Sequence, residues 1–135
     1  MKKQRLRRTF IELCSIASPS GCECDIADYI KEAVKSLPVV VQEIPAQDER
    51  YSSCSSLLIT LEDKFLRSLE AEGTELRTPL FLAAHMDTVA HIDDPEPVIL
   101  IEGDVIRTDG HSILRGDDKI GIAIILENLY SLIEE

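Results

Sequence analysis

The sequence has little positive charge for its length. Its 135 residues include 14 lysines and arginines against 25 aspartates and glutamates, which gives a formal net charge of −11. Because an acidic surface repels phosphate groups, this composition argues against nucleic acid or an anionic membrane as a partner. The excess of carboxylates suits the binding of hard or borderline cations instead.

Long apolar runs are also missing. No stretch approaches the ~20 apolar residues that a membrane-spanning helix needs. The basic residues of the first eight positions are not followed by a signal-peptide core, because Thr9, Glu12 and Ser15 interrupt it. We therefore expect a cytoplasmic protein.

Cysteine is sparse, and its four copies are predicted to be reduced thiols. They are Cys14, Cys22, Cys24 and Cys54. Zinc binding by Cys22 and Cys24 is an alternative, although no second Cys or His pair lies nearby.

The apolar pattern predicts an α/β fold. With 44% hydrophobic residues, residues 1–135 are expected to form one domain or part of one. Helices are predicted at 3–17, at 119–134, and from a capping box at Ser20 and Glu23 to about residue 37. Strands are predicted at 39–44, 56–61 and 80–84, and as a hairpin of 98–102 with 105–108.

The predicted strand 80–84 ends at a His-x-Asp triplet. Its residues are small or apolar, so we expect a strand that is buried on both faces. Ligands of open α/β sheets bind beyond the carboxyl ends of the strands, which is where His85 and Asp87 stand. Side chains two residues apart on an extended segment point to the same side, so the carboxylate can hold the imidazole.

A second acidic motif, Gly-Asp-Asp-Lys, opens the last predicted helix. Asp117 follows Asp87 by 117 − 87 = 30 residues. Each motif has an ordinary structural explanation: His85 and Asp87 could satisfy loop backbone groups at the end of a strand, and the carboxylates of the second motif could cap the helix N-terminus. Together they offer an imidazole and a carboxylate that could converge on one cation, and these are ligands of the zinc type.

Three segments carry a family resemblance. Leu-Phe-Leu-Ala-Ala-His-Met-Asp-Thr-Val, Gly-Asp-Val-Ile-Arg-Thr-Asp-Gly and Leu-Arg-Gly-Asp-Asp-Lys-Ile-Gly-Ile-Ala occur in this order. The chain thereby resembles the N-terminal segment of the co-catalytic zinc exopeptidases related to peptidase T, a family that includes carboxypeptidase G and aminoacylase. The resemblance implies a three-layer, phosphorylase/hydrolase-like fold with helices on the faces of a mixed sheet.

The resemblance also implies roles for individual residues. His85 matches a histidine that ligates one metal ion, Asp87 the catalytic aspartate that orients it, and Asp117 the aspartate that bridges two metals. The Asp117–Asp118 bond is implied to be cis. His91 and His111 match no ligand. Relatives usually have Gly-Ala-Asp-Asp-Lys where this chain has Arg115-Gly116-Asp117-Asp118-Lys119. The positive charge at position 115 is therefore a departure from the pattern.

The implied activity is hydrolysis of small peptides by a metal-activated water. Two Zn²⁺ ions are expected in a complete site, with Co²⁺ or Mn²⁺ as alternatives. The general base, the later ligands and the lid or dimerisation domain are implied to lie outside this chain, so residues 1–135 alone are expected to be inactive.

The alternatives are an amidohydrolase of the aminoacylase or carboxypeptidase type, and a non-enzymatic remnant that binds metal weakly or docks on a partner. A homo-oligomer formed through an uncovered apolar surface is a further expectation.

Overall fold

The computed structural model describes residues 2–46, 54–75, 79–89 and 94–134, which form four helices and four strands. The order along the chain is α1 (Lys3–Ser15), α2 (Cys24–Val34), β1 (Val39–Ile44), β2 (Ser56–Leu61), α3 (Asp63–Ala71), β3 (Ile99–Glu102), β4 (Val105–Thr108) and α4 (Lys119–Glu134). The predicted helices and strands are therefore confirmed, except at 80–84. The ambiguous section after β2 contains a helix, α3.

Three helices enclose the core. Apolar residues repeat at helical spacing in α1, α2 and α4, so each helix buries one stripe against the others. The buried apolar side chains are Phe10, Leu13, Cys14, Ile26, Ala27, Ile30, Val34, Ile122, Ala123 and Leu126. Half-buried residues of β1, β2, β3 and β4 pack against this cluster.

The strands form two antiparallel pairs. In the first, Val39 of β1 lies opposite Leu61 of β2. The second is the predicted hairpin of β3 and β4, whose turn contains Gly103 at a φ of 61°. Glycine at the first central position is what a type II′ hairpin turn favours.

The segment 80–84 departs from its prediction. We expected a buried strand, but this stretch has no strand partner among the described residues, and the side chains of Leu80 and Phe81 are 82% and 79% exposed. Of this segment, only Ala84 packs against the core, and Met86 does so just beyond its end. The apolar character of 80–82 is therefore not explained by contacts within the described part of the chain.

The prediction of reduced cysteines is wrong for two of them. Cys24 and Cys54 form a disulfide with a Cα–Cα distance of 5.3 Å, which lies within the usual range. Cys14 is buried and Cys22 is exposed, and both are free thiols. Since Cys24 has no thiolate to offer, zinc binding by Cys22 and Cys24 is not supported.

The predicted capping box at Ser20 and Glu23 is also wrong. Helix α2 begins at Cys24, and its N-cap, Glu23, makes no capping hydrogen bond through its side chain. The amide of Cys22 instead donates to the carbonyl of Pro19 at 2.8 Å, and Gly21 has a φ of 89°. These are the features of a type II turn, which needs a positive φ at its third residue.

Among the described helices, none has both the length and the apolar composition that crossing a membrane requires.

Candidate metal site

The site lies on the extended segment that ends at Val89. Ala84 and Met86 face the core, so the alternation of an extended chain directs His85 and Asp87 to the opposite side. The next residue, Thr88, is buried, and its amide donates to the carbonyl of Ser18 at 2.8 Å. Pro19 forms an isolated parallel bridge with Thr88. The backbone beside the His-x-Asp triplet is thus fixed to the turn that follows α1.

His85 lies between two carboxylates. Its Nδ1 is 3.0 Å from Oδ1 of Asp87 and 2.9 Å from the Asp87 carbonyl oxygen. Its Nε2 is 3.3 Å from Oδ1 of Asp117. The structure therefore brings together all three residues that the sequence singled out. The imidazole contacts Asp87 on one edge and Asp117 on the other.

Asp117 stands at the beginning of α4. The Asp117–Asp118 peptide bond is cis, as the resemblance implies. Oδ1 of Asp118 accepts a hydrogen bond from the amide of Gly121 at 3.1 Å, which satisfies a free N–H of the first helical turn. A Cβ at Gly121 would lie 2.5 Å from the Asp118 carboxylate, so glycine leaves room for this contact. The side chain of Asp117 remains 96% exposed.

The charges of the site reinforce one another. The hydrogen bond from Ser20 is the main reason why the pKa of Asp87 lies below its ordinary value; burial opposes it and His85 adds to it. Burial lowers the pKa of His85, but its hydrogen bonds with Asp87 and Asp117 outweigh that effect and raise the pKa overall. Asp87 is therefore a carboxylate at neutral pH, and the imidazole is held where positive charge is favoured.

The donor set fits a zinc ion. If Asp87 keeps the proton on Nδ1, the lone pair of Nε2 faces an oxygen of Asp117, and a cation between them relieves the repulsion. Ligand bonds of ~2.0 to 2.1 Å at a tetrahedral angle separate two zinc ligands by about 3.3 Å. The observed distance between Nε2 and Oδ1 is 3.3 Å. No group of three or more His, Cys, Asp or Glu residues is placed to hold a metal within the described part of the chain.

Known proteins resemble the chain over its whole length. No protein-family model matches it. An uncharacterised protein of Bacillus subtilis, YqjE, is 31% identical over 135 residues, which are 100% of this chain and 33% of that protein. The crystal structure of a tripeptidase from Staphylococcus aureus matches with a TM-score of 0.79 and 32% identity, over 99% of this chain and 33% of the tripeptidase. The aminopeptidase PepT of Bacillus cereus matches with a TM-score of 0.74 and 25% identity, over the same shares.

The chain matches the N-terminal part of a peptidase T-like enzyme. The predicted fold class is confirmed with it: helices and small antiparallel sheets, arranged as in peptidase T. The chain spans one third of the length of each relative.

Arg115, the departure from the peptidase T-like pattern, is buried beside the site. Its φ is 60°, in the left-handed region that favours glycine, which is the residue that the resemblance implies at this position. The guanidinium donates to the carbonyl oxygens of Asp94 and Pro95 at 3.2 and 3.4 Å. The positive charge is thus bound to backbone oxygens.

Lys119 is fully buried behind the peptidase T-like motif. Its Nζ donates to the carbonyl of Ile16 at the end of α1. Burial lowers the pKa of this lysine to about 8, although the nearby Cys14 opposes that effect. The contact joins the beginning of α4 to the end of α1.

His111 and Glu134 lie outside the cluster. His111 is exposed, and its amide donates to Asp109 at 3.0 Å. His91 and Glu135 lie outside the described residues. Glu134 pairs with Arg5 and Lys2, and the hydrogen bond from Arg5 is the main cause that lowers the pKa of Glu134 to about 2.

One further residue, Ser20, contacts the site, although its sequence pattern predicted only a helix cap. The hydroxyl of Ser20 donates to Oδ2 of Asp87 at 2.5 Å. The two residues are 67 positions apart, so no local spacing indicates the contact. The local sequence, Ser-Pro-Ser-Gly, is typical of a turn between helices and does not indicate a contact with Asp87.

Proposed function

We propose that residues 1–135 are the N-terminal part of the catalytic domain of a zinc-dependent aminopeptidase that acts on small peptides. The observation that carries the proposal is the position of His85, with Nδ1 on Asp87 and Nε2 3.3 Å from Asp117. The two similar crystal structures are of a tripeptidase and an aminopeptidase, which supports the choice of a peptide substrate.

Each of the three residues has its own task in this proposal. His85 offers the Nε2 lone pair to the cation. Asp87 accepts a hydrogen bond from Nδ1–H, which keeps the ring oriented and raises its basicity. Asp117 adds negative charge, and its 96% exposed side chain leaves the second oxygen accessible to a second ion. When bound, zinc supplies Lewis-acid activation of water and of the scissile carbonyl.

Two ligands do not complete a catalytic zinc site, which ordinarily has three protein ligands. We therefore expect the purified 135-residue chain to leave a tripeptide intact in the presence of Zn²⁺. The longer protein that contains it should release the amino-terminal residue, and His85→Ala in that protein should abolish the release. The measurement is chromatography of the peptide products. Hydrolysis by the 135-residue chain would contradict the proposal that the catalytic site also needs residues outside 1–135.

The exposed apolar segment supports the proposal that further protein covers this chain. Leu80 and Phe81 are largely exposed, and Leu82 is 47% exposed. Contiguous apolar residues on a surface usually mark an interface. In the longer protein we propose that the rest of the catalytic domain covers them; without it, we propose that two copies associate through them.

We accordingly expect the isolated chain to form oligomers that Phe81→Asp disperses into monomers. A charged side chain at this position would be desolvated in any apolar interface, which is costly. Light scattering after size-exclusion chromatography measures the mass. The control is Phe65→Asp, which places the same charge on a half-buried phenylalanine of α3. A wild-type monomer at high concentration would contradict self-association.

A further inference from the structure

The turn after α1 contributes a side chain to the candidate site. Ser20 is the second residue of the type II turn, and its hydroxyl donates to Oδ2 of Asp87 at 2.5 Å. The other oxygen, Oδ1, faces Nδ1 of His85 at 3.0 Å. The two carboxylate oxygens therefore have different partners, and the plane of the carboxylate is set by both.

The backbone around Ser20 is held independently of that hydroxyl. The carbonyl of Ser18 accepts from the amide of Thr88 at 2.8 Å, and Ser18 is fully buried. Two residues earlier, the carbonyl of Ile16 accepts from the buried Lys119 at the beginning of α4. The turn is thus fixed to both segments that carry the candidate ligands, which pre-positions the Ser20 hydroxyl.

We propose that Ser20 is a positioning residue that fixes the Asp87 carboxylate and, through it, keeps the proton of neutral His85 on Nδ1. The lone pair of Nε2 then faces Asp117, as metal binding requires. This inference rests on the proposed function for its purpose, but the hydrogen-bond geometry that it describes is independent of any metal.

The tautomer of His85 depends on which of its two ring nitrogens faces the better hydrogen-bond acceptors. Nδ1 has two acceptors within 3.0 Å, both from Asp87, whereas Nε2 has one at 3.3 Å. Nδ1–H is therefore favoured. Without Ser20, the carboxylate of Asp87 can rotate away and leave only the carbonyl oxygen, so the preference should weaken.

The first test is ¹⁵N NMR of the histidine ring in the metal-free 135-residue chain at about pH 9, where histidine is largely neutral. We expect the wild type to show His85 protonated on Nδ1, and Ser20→Ala to shift the population measurably towards Nε2–H. Ser20→Thr keeps a hydroxyl and should resemble the wild type. Its near-isostere Ser20→Val should resemble Ser20→Ala, which provides a second variant should the alanine variant not fold.

The second test is titration with Co²⁺, followed by its visible absorption. Loss of a group that orients a metal-ligating histidine typically weakens binding ~10- to 100-fold. Ser20 acts one step further out, so we expect a loss of about three- to tenfold for Ser20→Ala. Ser68→Ala is the control, because that hydroxyl donates to the carbonyl of Phe65 within its own helix, α3.

The two tests separate the two proposals. Unchanged ring-nitrogen shifts in Ser20→Ala and Ser20→Val would overturn the positioning role of Ser20. A wild-type chain that shows the expected tautomer but no Co²⁺ binding would contradict the metal site, and the positioning role would stand on the NMR result.

Discussion

Replacing His85 with alanine is expected to weaken Zn²⁺ binding by the 135-residue chain roughly 100-fold, a change of about 2.7 kcal/mol. The chain offers two ligands to the cation, an imidazole nitrogen and an oxygen of Asp117, and the substitution removes one of them. It also leaves Asp87 without the ring that it orients. Isothermal titration calorimetry measures the affinity directly.

His111→Ala is the matched control for this prediction. His111 is exposed and lies outside the cluster, so its removal should leave the affinity unchanged. Retention of full Zn²⁺ affinity by His85→Ala would place the metal elsewhere, for example at the free thiol of Cys22. Equal losses in both variants would indicate nonspecific binding by surface histidines.

Arg5→Ala is expected to lower the free energy of unfolding by about 3 kcal/mol. Nε of Arg5 lies 2.6 Å from Oε2 of Glu127, whose side chain is 1% exposed, so the substitution leaves a buried carboxylate without its ion partner. Breaking a buried pair costs ~3 to 5 kcal/mol. The lower end applies because the Lys2 amide and the Ser131 hydroxyl still donate to Glu127. The contact of Arg5 with the Tyr130 ring is lost as well.

The control for Arg5→Ala is Arg107→Ala, which breaks an exposed ion pair with Glu102. Arg107 and Glu102 are 47% and 60% exposed, and such pairs contribute ~0 to 1 kcal/mol. Urea denaturation of both variants measures the difference. Similar small losses of the free energy of unfolding for Arg5→Ala and Arg107→Ala would show that the packing of α1 against α4 does not depend on the buried pair.

The advantage of the wild type over Arg5→Ala should also depend on pH. The hydrogen bond from Arg5 is the main reason why the pKa of Glu127 is lowered in the folded chain. A carboxylate with a lowered pKa stabilises the fold above its unfolded value of ~4.3, and this contribution is lost as the pH falls through the folded value. The difference in the free energy of unfolding between the wild type and Arg5→Ala should therefore have its full size at pH 7 and become smaller below about pH 4.

Local patterns predicted most of the secondary structure. The bounds of β1 (Val39–Ile44), β2 (Ser56–Leu61) and α4 (Lys119–Glu134) follow the apolar and β-branched runs that predicted them. The approach of His85 and Asp87 was also predictable, because it depends only on the alternation of an extended segment. These features need no knowledge of distant residues.

Contacts between distant residues were not predictable in the same way. Arg5 and Glu127 are 122 positions apart, Ser20 and Asp87 are 67 apart, and the disulfide joins cysteines 30 apart. Ser-x-x-Glu fits a capping box as well as a turn, so the pattern could not show that Ser20 bonds Asp87. At 80–82 the apolar run predicted a buried strand, but these side chains are exposed and have no strand partner among the described residues, because apolar character alone does not show which segment would pair with them.

The most direct test of the central claim is an anomalous-diffraction map at the zinc edge, from crystals of this chain grown with Zn²⁺. The account predicts one zinc peak bonded to Nε2 of His85 and to an oxygen of Asp117, with Nδ1 still on Asp87. A zinc bound at cysteine or at other histidines, with the space between His85 and Asp117 empty, would contradict it.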